Sequence, residues 1–120
     1  MDIAAMIADI RRHPDFGKAG MLLAHNGVVR ETTRDGRRVR GLRVSVDHGR
    51  LQRILNAQRM RPGIVDIRVA IAEDRDLSVG DDLMLLIVAG DIRENVIAVL
   101  TDTLNLIKTT VTEKTEFLVY

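Results

Sequence analysis

The sequence predicts an α+β domain: a mixed or antiparallel sheet with helices packed on one face, in the order α-β-β-α-β-β-α-β. Three observations carry this. Leu83 to Ala89 is seven apolar residues without alternation, which marks a central strand covered on both sides. Gly90 ends it, and apolar residues then recur at Ile92, Val96, Ile97, Val99, Leu100, Leu104, Ile107 and Val111. At about 100° per residue these fall in one broad arc, as in a helix lying on a sheet. The rest of the chain alternates helical patterns with short strand patterns, which points to α+β layering.

The elements follow in order. Met1 to Arg12 is a short helix with Ile3, Met6, Ile7 and Ile10 on one face, stopped at His13-Pro14, where His13 reads as a helix-end residue. Gly20 opens a strand over Met21 to Arg30, interrupted at Asn26-Gly27, where a bulge is expected. Asp35-Gly36 is a hairpin tip, and Val39 to Val46 is the returning strand, with a phase shift at Gly41. A second helix starts at Asp47 or His48, buries Leu51, Ile54 and Leu55, and stops at Pro62-Gly63. Val65, Ile67, Val69 and Ile71 then alternate with Asp66, Arg68, Ala70 and Ala72 as a half-buried strand. Turns surround a lone Leu77. Asp91, with Glu94 three residues on, is the expected cap of the long helix. Thr112 to Glu116 is polar, and Phe117 to Tyr120 is a last strand.

Length and composition narrow the function. The 120 residues form one domain, 1–120, large enough for a core. Charges nearly balance, 18 basic against 17 acidic, so net charge does not call for nucleic acid or membrane. No cysteine is present, which excludes disulfides, thiolate metal sites and a cysteine nucleophile. No apolar run approaches the roughly 20 residues of a membrane span. With no basic n-region before an apolar stretch, the expected compartment is the cytoplasm. Phe16, Phe117 and Tyr120 are the only aromatics, so the core is aliphatic and base stacking is not expected. Arg30, Arg34, Arg37, Arg38, Arg40 and Arg43 crowd the hairpin. They read as a solvated edge that resists strand pairing rather than as a nucleic-acid patch.

No nucleophile elbow, phosphate loop, dinucleotide fingerprint or histidine cluster occurs, and no metal or cofactor is expected. What remains is a set of cations, Arg30, Arg93, Lys108 and Lys114. Such a set suits an anionic substrate and amine chemistry better than hydrolysis. Arg93 falls in the first turn of the long helix, where backbone N–H groups and the dipole favour an anion. Lys108, at the edge of the apolar arc, reads either as a snorkelling rim lysine or as a functional amine.

The order of elements and the places of these cations resemble the MoaE family, the large, catalytic subunit of molybdopterin synthase, over nearly the whole chain from His13 to about Glu116. Gly27-Val28-Val29-Arg30 is similar to the family's Gly-Lys/Thr-Val-Arg strand end. Leu77-Ser78-Val79-Gly80-Asp81 is similar to its Gly-x-Leu-x-x-Gly-Asp/Glu turn. Arg93 matches the arginine of a His-Arg pair, and Lys108, in Leu106-Ile107-Lys108, matches the lysine of a Tyr-Leu-Lys fifteen residues later. Ile92 replaces the histidine of the pair. Thr112, Lys114 and Thr115 stand where a Pro-x-Trp-Lys would place proline, tryptophan and lysine, a degenerate lysine motif.

The resemblance implies an α/β hammerhead fold and a homodimer. It implies an enzyme that transfers sulfur from the C-terminal glycine thiocarboxylate of a small ubiquitin-like MoaD-type subunit to cyclic pyranopterin monophosphate, making molybdopterin for molybdenum cofactor biosynthesis. On that pattern Arg30 and Arg93 bind the substrate phosphate, Lys108 is the catalytic amine, and Lys114 is the candidate second lysine. The alternative is a catalytically weakened dimer of the same fold that still binds a ubiquitin-like tail or a pterin. Arg93 and Lys108 stand fifteen residues apart on one helix, about 22 Å, so a pocket using both must draw one of them from a second copy.

Overall fold

The structure, a computed structural model, describes residues 1–120. Three helices, α1 (Ile3–Ile10), α2 (His48–Arg59) and α3 (Arg93–Thr110), accompany six strands. These are β1 (Met21–Val28), β2 (Val39–Val46), β3 (Ile64–Ile71), β4 (Leu77–Ser78), β5 (Asp82–Gly90) and β6 (Thr112–Leu118), and a 3-10 turn spans Phe16–Lys18. The α+β class and the order of major elements are as the sequence predicts. The strands divide into two antiparallel sheets, β1-β5-β3 and β4-β2-β6. The molecule is elongated, 51 × 26 × 24 Å.

The unbroken apolar run is the middle strand of the first sheet. Met84 to Ala89 are at most 3% exposed. Alternation splits them: Met84, Leu86 and Val88 face a core built with α2 and α3, while Ile87 and Ala89 face α1. Helices therefore cover both faces of this sheet, not one. The apolar face of α1, Ile3, Met6, Ile7 and Ile10, marks the helix as covered but does not show which side of the sheet covers it. A register shift between Ile64 and Asp66 also redistributes β3, sending Val65 to the α1 side and Ile67 to the α2/α3 side. Asp66, expected on a wet face, is instead 6% exposed. It accepts from Arg59 Nε at 3.1 Å, Arg68 Nε at 2.8 Å and the Ile67 amide at 2.7 Å. Those three donors satisfy a carboxylate that burial would otherwise penalise.

Three further expectations are corrected. The Asp35-Gly36 hairpin is confined to its tip, where Thr32 bridges Arg38, the Thr33 amide donates to Arg37 and the Val39 amide to Glu31; the bodies of β1 and β2 do not pair, and β1 pairs with β5. The central strand of a sheet offers more apolar surface to β1 than the arginine-rich β2 does. The polar segment Thr112 to Glu116 is strand, the body of β6, paired with β2 from Val46↔Thr112 to Val39↔Leu118. It has a neighbour on one side only, so its outward residues need not be apolar. Leu77 is not a turn residue but the core of β4, paired with Gly41 and Leu42 and 5% exposed. The shift at Gly41 is present. A Cβ there would run into the Leu77 carbonyl, so the close approach of β4 requires glycine.

Candidate functional site

Helix α3 starts beside the first residues of β1 and runs back over the sheet. Its N-cap is Ile92, with no side-chain cap, rather than Asp91. The Asp91 carboxylate instead accepts from the Ile92 amide at 2.7 Å and from Asn95 Nδ2 at 2.9 Å. These bonds hold its pKa below the usual carboxylate range, the Asn95 bond contributing most. Gly63, at φ 78°, makes room for it: a Cβ there would strike the Asp91 carboxylate and Asn95. Arg93 follows, its side chain 79% exposed and 3.3 Å from Glu94. It borders a shallow depression with Gly20, Met21, Asp91, Ile92 and Glu94, and the Gly20 amide donates to the Gly90 carbonyl at 2.8 Å.

The other candidates lie at the opposite end. Lys108 is exposed in the last turn of α3. The β1 ladder runs from Met21↔Gly90 to Gly27↔Met84 and then shifts register to Val28↔Asp82, which puts the bulge expected at Asn26-Gly27 one residue later and carries the chain out to Arg30. Arg30 is exposed, and its Nε donates to the Thr32 carbonyl at 3.0 Å. Arg30 and Lys108 thus belong to the Gly27–Met84 end of the sheet and Arg93 to the Met21–Gly90 end. The 18 residues of α3 put about 27 Å between its termini. One chain does not bring all three together.

Lys114 stands on β6 opposite Val44 and lies 3.8 Å from Glu116, with its side chain half exposed. Strand alternation puts it on the face opposite Thr115. The other arginines of the basic loop are engaged locally: Arg37 with Asp35, Arg43 with Asp76 and the Asp74 carbonyl, and Arg40 over the Phe117 ring at 5.2 Å.

One residue of this end escaped the sequence reading. His25 lies on the α3 side of β1, opposite Leu86, and its Nε2 is buried without a hydrogen-bond partner. Burial, and then the charge of Lys108, lower its pKa from 6.5. The signal available in the sequence was faint: a histidine two residues ahead of Gly27, in step with the inward residues Met21 and Leu23.

Comparisons with known proteins agree with this architecture. Molybdopterin cofactor biosynthesis protein E from Burkholderia multivorans is similar at 23% identity and TM-score 0.77, over 99% of this chain and 84% of that one. A molybdopterin synthase from Staphylococcus aureus matches at 20% identity and TM-score 0.72, over 85% and 77%. A complex of subunits 1 and 2 of molybdopterin-converting factor from Helicobacter pylori matches at 15% identity and TM-score 0.74, over 98% and 80%. At these identities the likeness is one of fold. A search of curated proteins gives no match. The family model described as MoaE protein matches residues 1–110, which takes in Arg30, Arg93 and Lys108 but not Lys114. The chain belongs to the MoaE family.

Proposed function

We propose that the protein is the large subunit of a molybdopterin synthase, transferring sulfur from a small subunit's C-terminal thiocarboxylate to cyclic pyranopterin monophosphate. The observation that carries this reading is the placement of Lys108 and Arg30 at one end of the β1/α3 layer in a chain of the MoaE family. The Arg30 guanidinium offers planar paired donors suited to a phosphate. Lys108, on a flexible four-carbon stem, supplies the amine that meets the tail glycine as nucleophile or proton-transfer group. The second anion-binding cation, Arg93, comes from the other copy of a homodimer, because within one chain it sits at the far end of α3. The partner is a small ubiquitin-like subunit of the MoaD type, a reading supported by the similarity of fold to the two-subunit Helicobacter pylori complex. The setting is cytoplasmic.

The test is direct: combine the protein with a thiocarboxylated small subunit and the pterin precursor and assay dithiolene product. A second reading is favoured by the ion pair of Lys114 with Glu116 and by Ile92 at the head of α3. On it, the dimer binds the tail or the pterin and transfers sulfur poorly. Binding of both ligands without product would select it.

A further inference from the structure

We propose that His25 is the positioning residue for Lys108: as a neutral imidazole it accepts a hydrogen bond from the Lys108 ammonium at Nε2 and holds that group against the bound tail. The inference deepens the sulfur-transfer reading and rests on it for its catalytic consequence. It does not rest on it for the contact itself.

The geometry comes from the strand. Period-two alternation puts Met21, Leu23, His25 and Gly27 on one face of β1, and Met21 and Leu23 pack into the core shared with α3. His25 continues that row toward the end of the sheet that Lys108 overhangs. Gly27 is what lets the ring lie along the strand: a Cβ at that position would come within 3.3 Å of His25 Nε2, closer than ordinary van der Waals contact. The ring nitrogen that results is buried and has no partner within the chain. Buried polar atoms without partners are uncommon and costly, and where one occurs a functional partner is a natural explanation.

The surroundings name that partner. β5, hydrogen-bonded to β1, presents Met84 and Leu86 to this part of the strand. On the other side β1 is the edge of its sheet. From α3 the one charge acting on the ring is that of Lys108. With its proton on Nδ1, the imidazole offers a lone pair at Nε2. Lys108, with three donors and a rotatable stem, can turn toward it when a bound tail displaces water from the exposed ammonium. Protonation of His25 reverses the sign of the contact, since two cations then face each other and the lysine is pushed back to solvent. His25 thus makes the orientation of Lys108 depend on pH, and burial keeps the imidazole neutral under neutral conditions.

Two measurements test this. The first needs no turnover: follow the His25 ring resonances by NMR against pH in the parent protein and in Lys108→Gln. The midpoint is expected below 6.5 in the parent, and it should move up when the lysine charge is removed. An unchanged midpoint overturns the proposal. The second is the pH profile of dithiolene formation. The parent should lose about tenfold in rate per pH unit below the His25 midpoint. His25→Gln, which keeps a neutral acceptor but does not titrate, should retain most of the neutral-pH rate and lose that acid limb. His25→Phe should lose both the limb and most of kcat, with KM for the small subunit unchanged. An acid limb that survives in both variants overturns the positioning role even where the parent is active. A parent that makes no product at any pH refutes the sulfur-transfer reading instead, and the NMR titration still decides whether the Lys108 charge acts on the His25 ring, without which the positioning contact cannot form.

Discussion

If Arg93 and Lys108 belong to one pocket, that pocket is shared between chains, and subunit mixing should reveal it. The two residues sit in the first and last turns of α3, an 18-residue helix, so about 22 Å separates them along the axis, more than a pterin monophosphate spans. The perturbation is a pair of dead proteins, Arg93→Ala and Lys108→Ala. Both side chains are exposed, so neither truncation opens a core cavity, and both variants should fold. Mixed in equal amounts and allowed to exchange, they give heterodimers as half the population. Each heterodimer joins the intact Lys108 of one chain to the intact Arg93 of the other at one of its two sites, while its second site lacks both. Recovery to about a quarter of parental specific activity is expected for an isologous pair. The assay is dithiolene formation with excess thiocarboxylated small subunit, and exchange is verified by mass-tagged chains. Activity that stays at the level of the separate variants despite proven exchange would refute the shared site. So would a monomer in sedimentation at micromolar concentration.

Other outcomes can be checked separately. Thr103 is fully buried and its Oγ1 has no partner, so the isosteric Thr103→Val should stabilise the fold by about 1 kcal/mol, read as a higher urea midpoint with unchanged slope. Gly41→Ala should destabilise by about 1–3 kcal/mol, because its Cβ must displace the Leu77 backbone, measured the same way. Arg30→Ala should weaken pterin binding in calorimetry more than Arg37→Ala, whose guanidinium is already engaged by Asp35; equal losses would return Arg30 to the solvated edge. The lowered pKa of His25 has a stability consequence as well. The unfolded chain takes up the proton more readily, so the contribution is fully present above pH 6.5 and is lost as pH falls through the folded-state value below it. Urea denaturation of His25→Phe should lack that part of the pH slope.

What the sequence made legible were elements whose burial is one-sided or complete. The run at Leu83 to Ala89 could only be a covered strand, and the arc on α3 could only be a helix on a sheet. The bulges at Gly27 and Gly41 showed as glycines breaking a strand pattern. Pairing was less visible, because the hairpin signal at Asp35-Gly36 reports the turn and not the competition for a better apolar neighbour, which β5 wins. β6 was hidden because an edge strand with a wet face, Glu113-Lys114-Thr115, has no periodicity to read. At the site, the positions of Arg30, Arg93 and Lys108 could be named from spacing and resemblance. Their separation into two ends became visible only once the ladder of β1 on β5 was laid out. His25 and Asp66 were missed for a common reason: a polar residue inside a strand reads as solvent-facing until the covering element is known.

The division into two sheets has its own consequence for local opening. Ten buried residues form the core beneath α2 and α3, whereas the core of the second sheet is the five residues Val29, Leu42, Val44, Ala72 and Leu77, with Ile71 and Leu83 packing against both. β5 is flanked along its length on both sides, but β2 has only the two residues of β4 opposite β6. Amide protons in β2 and β6 should therefore exchange with solvent in a sub-global event of lower free energy than the one that exposes β5. The junction of the two cooperative units falls at Val111-Thr112, where α3 passes directly into β6, three residues beyond Lys108. A docked tail that holds Lys108 should tie the units together, and slower exchange in β6 would be its footprint.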